Sequence, residues 1–143
     1  MSETVNFRAL LGKKPSEVEK PKPLAVGHYI GRILSTEFGQ SRNKGTAYMR
    51  VKLRAEEETS DIEPGANGNS DISTKEIYRD YWITPNALYQ LSEMLDAVLG
   101  AADVPFDQRI PDLRDARVMF EVKHRADENS DRVYVDIGLI VAA

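Results

Sequence analysis

The sequence has 143 residues, 41% of them hydrophobic, no cysteine and a formal net charge of −4. Such a chain suits one globular core, excludes disulfides and thiolate metal sites, and does not suit indiscriminate binding of polyanions. No window approaches the roughly 18 apolar residues of a membrane span, and the opening MSETVNFRALLGKK lacks the apolar run of a signal peptide, so a soluble, cytoplasmic protein is expected.

Residues 1–23 combine Gly12, Pro15, Pro21 and Pro23 with Lys13, Lys14, Lys20 and Lys22. That composition reads as a mobile arm ahead of a domain over 24–143. Its apolar residues Val5, Phe7, Leu10 and Leu11 suit a short helical turn that docks on the domain or on a partner. GHYIGRILSTEF reads as a long first strand, with Gly27 and Gly31 allowing a bend or bulge, and with Tyr29 and Phe38 expected in the core. The turn-rich GQSRNKGT follows and makes the loop of a hairpin basic through Arg42 and Lys44.

The second strand, TAYMRVKLRA, has the clearest pattern of the chain. Met49, Val51, Leu53 and Ala55 alternate with Tyr48, Arg50, Lys52 and Arg54, a period of two with one dry face. Side chains on the other face recur about every 7 Å, so an aromatic and three cations line up along it. Charge is segregated around this strand. Residues 28–55 hold six Lys and Arg against Glu37 alone, a balance of +5, whereas residues 56–76 hold seven acids against Lys75, a balance of −6. The acidic stretch, with Pro64, Gly65 and Gly68, reads as a long loop over 56–74.

KEIYRDYWIT is a third strand rich in aromatic and β-branched residues. Ile77, Arg79, Tyr81 and Ile83 share one face and Tyr78, Asp80, Trp82 and Thr84 the other, and period alone does not choose the inward one. Thr84-Pro85 is a helix start, with Thr as N-cap and Pro at the first helical position. Leu88, Leu91, Leu95, Val98 and Leu99 then recur at helical spacing as far as Gly100. A connector with Pro105 and Pro111 leads to a fourth strand, RVMFEVKHR, with Val118, Phe120 and Val122 inward and Arg117, Glu121, Lys123 and Arg125 outward. After the turn ADENSD, RVYVDIGLIV is a fifth strand that begins at Arg132.

Three strands, a helix and two strands is the element order of the oligonucleotide-binding (OB) fold, so a mainly β, five-stranded OB-type barrel with one helix between strands 3 and 4 is expected. Strands 2 and 3 of that barrel form its usual ligand face, flanked by the loops between strands 1 and 2 and between strands 4 and 5. On the face stand Tyr48, Arg50, Lys52, Arg54, Arg79, Tyr81 and Trp82. The flanking loops supply Arg42 and Lys44 on one side and Lys123, Arg125 and Arg132 on the other. Arg and Lys follow phosphates without reading sequence, and aromatic rings accept any base as a stacking partner, so single-stranded nucleic acid is the expected ligand.

Catalysis has no such support. GxxxxGK[ST], HExxH, GxSxG and GxGxxG are all absent from the sequence, and no cofactor is expected. Glu56, Glu57, Glu58 and Asp61 read as a solvated charge run. A metalloenzyme would need Glu56, Glu57, Asp61 and Asp80 to converge. His28 and His124 stand apart, with no second His near either.

With LAVGHYIGRI, SRNKGTAYMRVKL, the aromatic third strand followed by TPNALYQLSEMLDAVLG, and DLRDARVMFEVKHR in view, residues 24 to about 140 resemble the small phage-encoded single-stranded-DNA-binding proteins of OB-fold type. The resemblance implies an accessory of replication or recombination that coats single strands without a cofactor and meets other replication or recombination proteins. Two features depart from it: the sequence closes on GLIVAA rather than an acidic tail, and Leu113–Arg117 lacks a glycine before the fourth strand. The competing expectation is an OB barrel that serves as a protein-interaction module, using the arm and an apolar patch at Leu139–Ala143.

Overall fold

The computed structural model describes residues 11–12, 14, 23–68, 71–129 and 133–143. Five strands, β1 (Gly27–Gln40), β2 (Ala47–Glu58), β3 (Ile77–Trp82), β4 (Arg117–Ala126) and β5 (Val133–Ala142), form one antiparallel sheet in the order β3-β2-β1-β4-β5. This is the OB-type barrel, open between β3 and β5. Arg79 Nη1 spans the gap by donating to the Gly138 carbonyl. The expected arm falls largely outside the described residues.

The alternation in β2 does what its pattern requires. Met49, Val51, Leu53 and Ala55 are buried and meet Val118, Phe120 and Val122 of β4 in one core, with Tyr29 and Ile33 of β1 between them. Each large apolar side chain removed from water in this way contributes about 1.5–3 kcal/mol. The long β1 bends to serve both neighbours, with register shifts against β2 at Ile30/Gly31 and Ile33/Ser35. Gly31 is required there because a Cβ would lie 1.8 Å from the Arg54 carbonyl oxygen.

The regular helix α1 (Leu88–Leu99) begins later than the Thr84-Pro85 signal suggested. Thr84 instead closes a turn, its Oγ1 accepting from the Ala87 N–H at 3.2 Å and its carbonyl from Leu88. Leu91, Met94 and Leu95 face the core. Beyond Gly100 the connector is partly ordered into a one-turn helix α2 (Phe106–Arg109) and a 3-10 turn (Ile110–Leu113). Arg109 is buried and closes the end of α1, bonding Asp96 Oδ1 at 2.7 Å and donating to the Gly100 carbonyl. Carbonyls at a helix C-terminus have no partner within the helix, so a guanidinium suits this end in charge and geometry. The turn before β4, which has no glycine, is made by Asp115 at φ 64°. A short polar side chain tolerates that conformation better than most.

β2 runs on to Glu58, past the expected start of the acidic loop, and the segment after it is pinned to the start of β1 by two buried residues while its carboxylates stay exposed. Ile62 is buried over Gly27, where a Cβ would lie 2.4 Å from its Cδ1. Asn67 is buried as well, its Nδ2 donating to the Tyr29 hydroxyl and to Glu58 and its Oδ1 accepting from the Ala25 N–H, all at 2.9 Å. Among the described residues no helix is long and apolar enough to cross a membrane.

Candidate nucleic-acid interface

Register between β2 and β3 decides which face of β3 looks outward. Tyr81 pairs with Met49 and Ile77 with Leu53, both inward, whereas Trp82 pairs with Tyr48, Asp80 with Arg50 and Tyr78 with Lys52. Directly opposed residues of an antiparallel pair share a face. Tyr81, expected as a stacking platform, is therefore a core residue, 1% exposed and out of reach of a base. Burial pushes its hydroxyl pKa up to about 12, against a smaller opposite effect of the Arg79 charge. Arg79 lies on the inward face too, its guanidinium 4.5 Å from the Tyr81 ring centre. It closes the gap to β5 instead of standing out as a free cation.

The outward face has three adjacent rings. Tyr48 and Trp82 meet edge to face with centroids 5.7 Å apart, and Trp82 remains 43% exposed. Tyr78, 48% exposed, lies under the Arg50 guanidinium at 3.9 Å from its ring centre, and Arg50 is 5.5 Å from the Tyr48 ring. Asp80 holds Arg50 in place through two bonds, Nε to Oδ1 at 2.8 Å and Nη2 to Oδ2 at 3.1 Å. This bidentate pair raises the Arg50 pKa well above the ordinary arginine value. The guanidinium is thus a fixed planar plate between two rings, with Nη1 uncommitted.

Between β3 and the β4–β5 hairpin runs a groove of about 860 Å³. Tyr78 and Trp82 line one side of it, and Arg125 and Tyr134 the other. Tyr134 is 41% exposed with Arg125 at 5.2 Å from its ring centre. Neither Tyr78 nor Tyr134 was among the residues expected to bind. Period alone left the face of β3 open, and the exposure of Tyr78 follows from its pairing with Lys52; Tyr134 already alternates against Val133, Val135 and Ile137 in the sequence but was not assigned to the ligand face.

Most of the expected cations already have acid partners. Lys52 pairs with Glu37 at 3.0 Å, Arg54 with Glu56 at 3.2 Å, Lys123 with Glu121 at 3.3 Å and Arg125 with Asp136 at 3.3 Å. Arg42 and Lys44 stand exposed in the loop between β1 and β2, with no ion pair among the described residues. Arg132 lies outside the described residues.

The remaining candidates separate. Phe38, expected in the core, is 64% exposed at the far end of β1 and lines an apolar groove of about 530 Å³ with Leu88, Leu91, Phe106 and Ile110. Of the expected C-terminal patch, Leu139 is exposed but Ile140 is buried. The four carboxylates of the metal alternative have separate partners: Glu56 meets Arg32 and Arg54, Glu57 meets Arg117, Asp61 meets His28 and Asp80 meets Arg50. No group of three or more metal-type donors gathers among the described residues.

Asp61 accepts from the His28 ring at 2.5 Å, the Thr59 hydroxyl at 2.6 Å and the His28 N–H at 3.0 Å. These bonds, the one from the His28 ring most of all, hold its carboxyl well below the usual range. His124 has its Nε2 2.5 Å from the Leu24 carbonyl oxygen and so ties the start of the domain to β4. No family model matches the chain, and no curated protein matches its sequence.

Proposed function

We propose that this chain binds single-stranded DNA, without strong sequence preference, along the outer face of β2 and β3 and across the groove to β5. The observation behind this reading is the exposed rings of Trp82 and Tyr78, with the half-buried Tyr48 edge-on to Trp82, continued by Tyr134 on the far side of the groove. Large aromatics are mostly buried, and several on one outer strand face suit a ligand that itself consists of flat rings. The mechanism is led by stacking. Bases lie on Tyr78, Trp82 and Tyr134, and the Arg50 plate adds a cationic stacking surface. Arg42, Lys44 and the outward rims of the ion pairs follow the phosphates.

The resemblance to phage single-stranded-DNA-binding proteins supports the same reading, with a role beside replication or recombination enzymes in the cytoplasm. The test is a titration into labelled oligo-dT of about 30 nucleotides, long enough for one or more OB sites, with duplex DNA and RNA as competitors. Single-strand-selective binding is expected. No binding at low salt would reject the function and leave the barrel standing.

One observation favours a second reading, a protein-interaction module: the apolar groove beside Phe38. If that reading holds, Phe38→Ser abolishes partner capture and Trp82→Ala does not.

A further inference from the structure

Beside the ring row a second cavity, of about 380 Å³, opens on the outer side of β2. Arg50 and Lys52 reach it from β2, Tyr78 from β3, and Ser73, Thr74 and Lys75 from the turn that leads into β3. Three cations thus meet at one opening, whose single acidic lining residue is Glu76. We propose that this cavity is a phosphate seat, which takes one phosphate of a nucleotide together with its sugar. The proposal rests on the strand-binding reading and adds to it the point at which the backbone is gripped.

The donors are available in different ways. Lys75 has no ion pair among the described residues and stands on a turn fixed from within. Asp71 accepts there from the Ser73 N–H at 3.0 Å and the Ser73 hydroxyl at 2.6 Å, and its carbonyl accepts from the Thr74 hydroxyl at 2.7 Å. Lys75 is therefore presented from an ordered support, and the hydroxyls serve the turn rather than the ligand.

Arg50 commits Nε and Nη2 to Asp80 and retains Nη1 for a further acceptor. Lys52 is held by Glu37 in an exposed pair, which a phosphate displaces at little cost. A phosphate with its several acceptor oxygens matches three donors, two arriving from β2 and one from the turn. The Tyr78 ring on the same rim lies where the attached nucleoside leaves the seat.

The chemistry is shared by an internal phosphodiester, a 5′-terminal phosphate and a free mononucleotide, and the experiment separates them. Wild type and Lys75→Ala are titrated with thymidine 5′-monophosphate and with thymidine, followed by amide NMR shifts. In parallel, oligo-dT with a 5′-hydroxyl or a 5′-phosphate is titrated at several salt concentrations. The expected result is that the monophosphate shifts Ser73, Lys75 and Arg50 while thymidine does not. Lys75→Ala should weaken the monophosphate at least fivefold and reduce the salt slope on oligo-dT by about 0.7, the share of one phosphate contact on a single strand.

A 5′-phosphate preference would make the seat terminal, and equal binding would make it internal; both support it. Equal shifts from thymidine, or an unchanged slope in Lys75→Ala with oligo-dT still bound, would overturn the seat and leave strand binding intact. Binding of the monophosphate without any oligo-dT binding would uphold the seat and overturn the strand reading.

Discussion

Raising salt from 50 to 200 mM separates two versions of the proposed interface, and the ion pairs of the face set the expected magnitude. Arg50, Lys52, Arg54, Lys123 and Arg125 each have a carboxylate within 3.3 Å. A phosphate that reaches such a cation displaces a carboxylate, not a condensed counterion, so these residues add little to ion release. Arg42, Lys44 and Lys75 have no such partner among the described residues. Three contacts on a single strand give a slope of log affinity on log salt of about −2, and the fourfold rise in salt then weakens binding about 20-fold. If all eight cations met phosphates freely, the slope would be about −6 and the loss about 2,000-fold. Fluorescence anisotropy of a labelled oligo-dT over that range reads the slope directly. A slope steeper than about −4 would refute the claim that the acid partners suppress ion release at these cations, and a flat one would show that phosphates are not touched.

Trp82→Ala removes one stacking platform, which is worth about 1–3 kcal/mol, or about 5- to 150-fold in oligo-dT affinity. The melting transition should stay cooperative because Trp82 faces outward; affinity within twofold of wild type would remove this ring from the interface. Tyr81→Phe deletes a buried hydroxyl that has no hydrogen-bond partner among the described residues. Stability should be unchanged or higher by about 1 kcal/mol and DNA affinity unaltered, and clear destabilisation in a denaturant titration would point to a partner for that hydroxyl. The Asp61 carboxyl is lowered in the folded protein, so its stabilisation is present above the unfolded value near pH 4 and is lost as pH falls through the folded value. Amide exchange at Ile62 and Asn67 should therefore accelerate in acid before exchange in β2 does, and equal protection of loop and barrel down to global unfolding would reject that role.

Where apolar residues alternate cleanly, the sequence was enough to orient a strand. β2 shows it, and so does β4 with Val118, Phe120 and Val122. β3 is different: each face of Ile77–Thr84 has at least one aromatic residue and one charged group, Arg79 on one side and Asp80 on the other. Only the pairing of Tyr81 with Met49 chose between them, and pairing is a property of two strands rather than one. Phe38 departs from its expected burial although it stands opposite the buried Met49, because it lies at the far end of β1, beside an apolar groove. The pinned loop depended on two residues, Ile62 and Asn67, within a stretch whose acids dominate its composition. The Arg50–Asp80 pair, thirty positions apart in sequence, left no local trace.

On the proposed reading, these ion pairs also account for a surface for a polyanion on a chain of net charge −4. Cations free of acids would attract any nucleic acid, duplex included, because charge alone does not distinguish strands. On this face the acids take up most of that charge and hold Arg50 flat between rings, while the aromatic row stays open. Duplex DNA keeps its bases stacked inside and offers these rings nothing, whereas a single strand offers one ring per nucleotide. In the proposed interface, neutralised cations beside exposed aromatics would thus favour the single strand by lowering the shared electrostatic contribution and keeping the one that only unpaired bases can make.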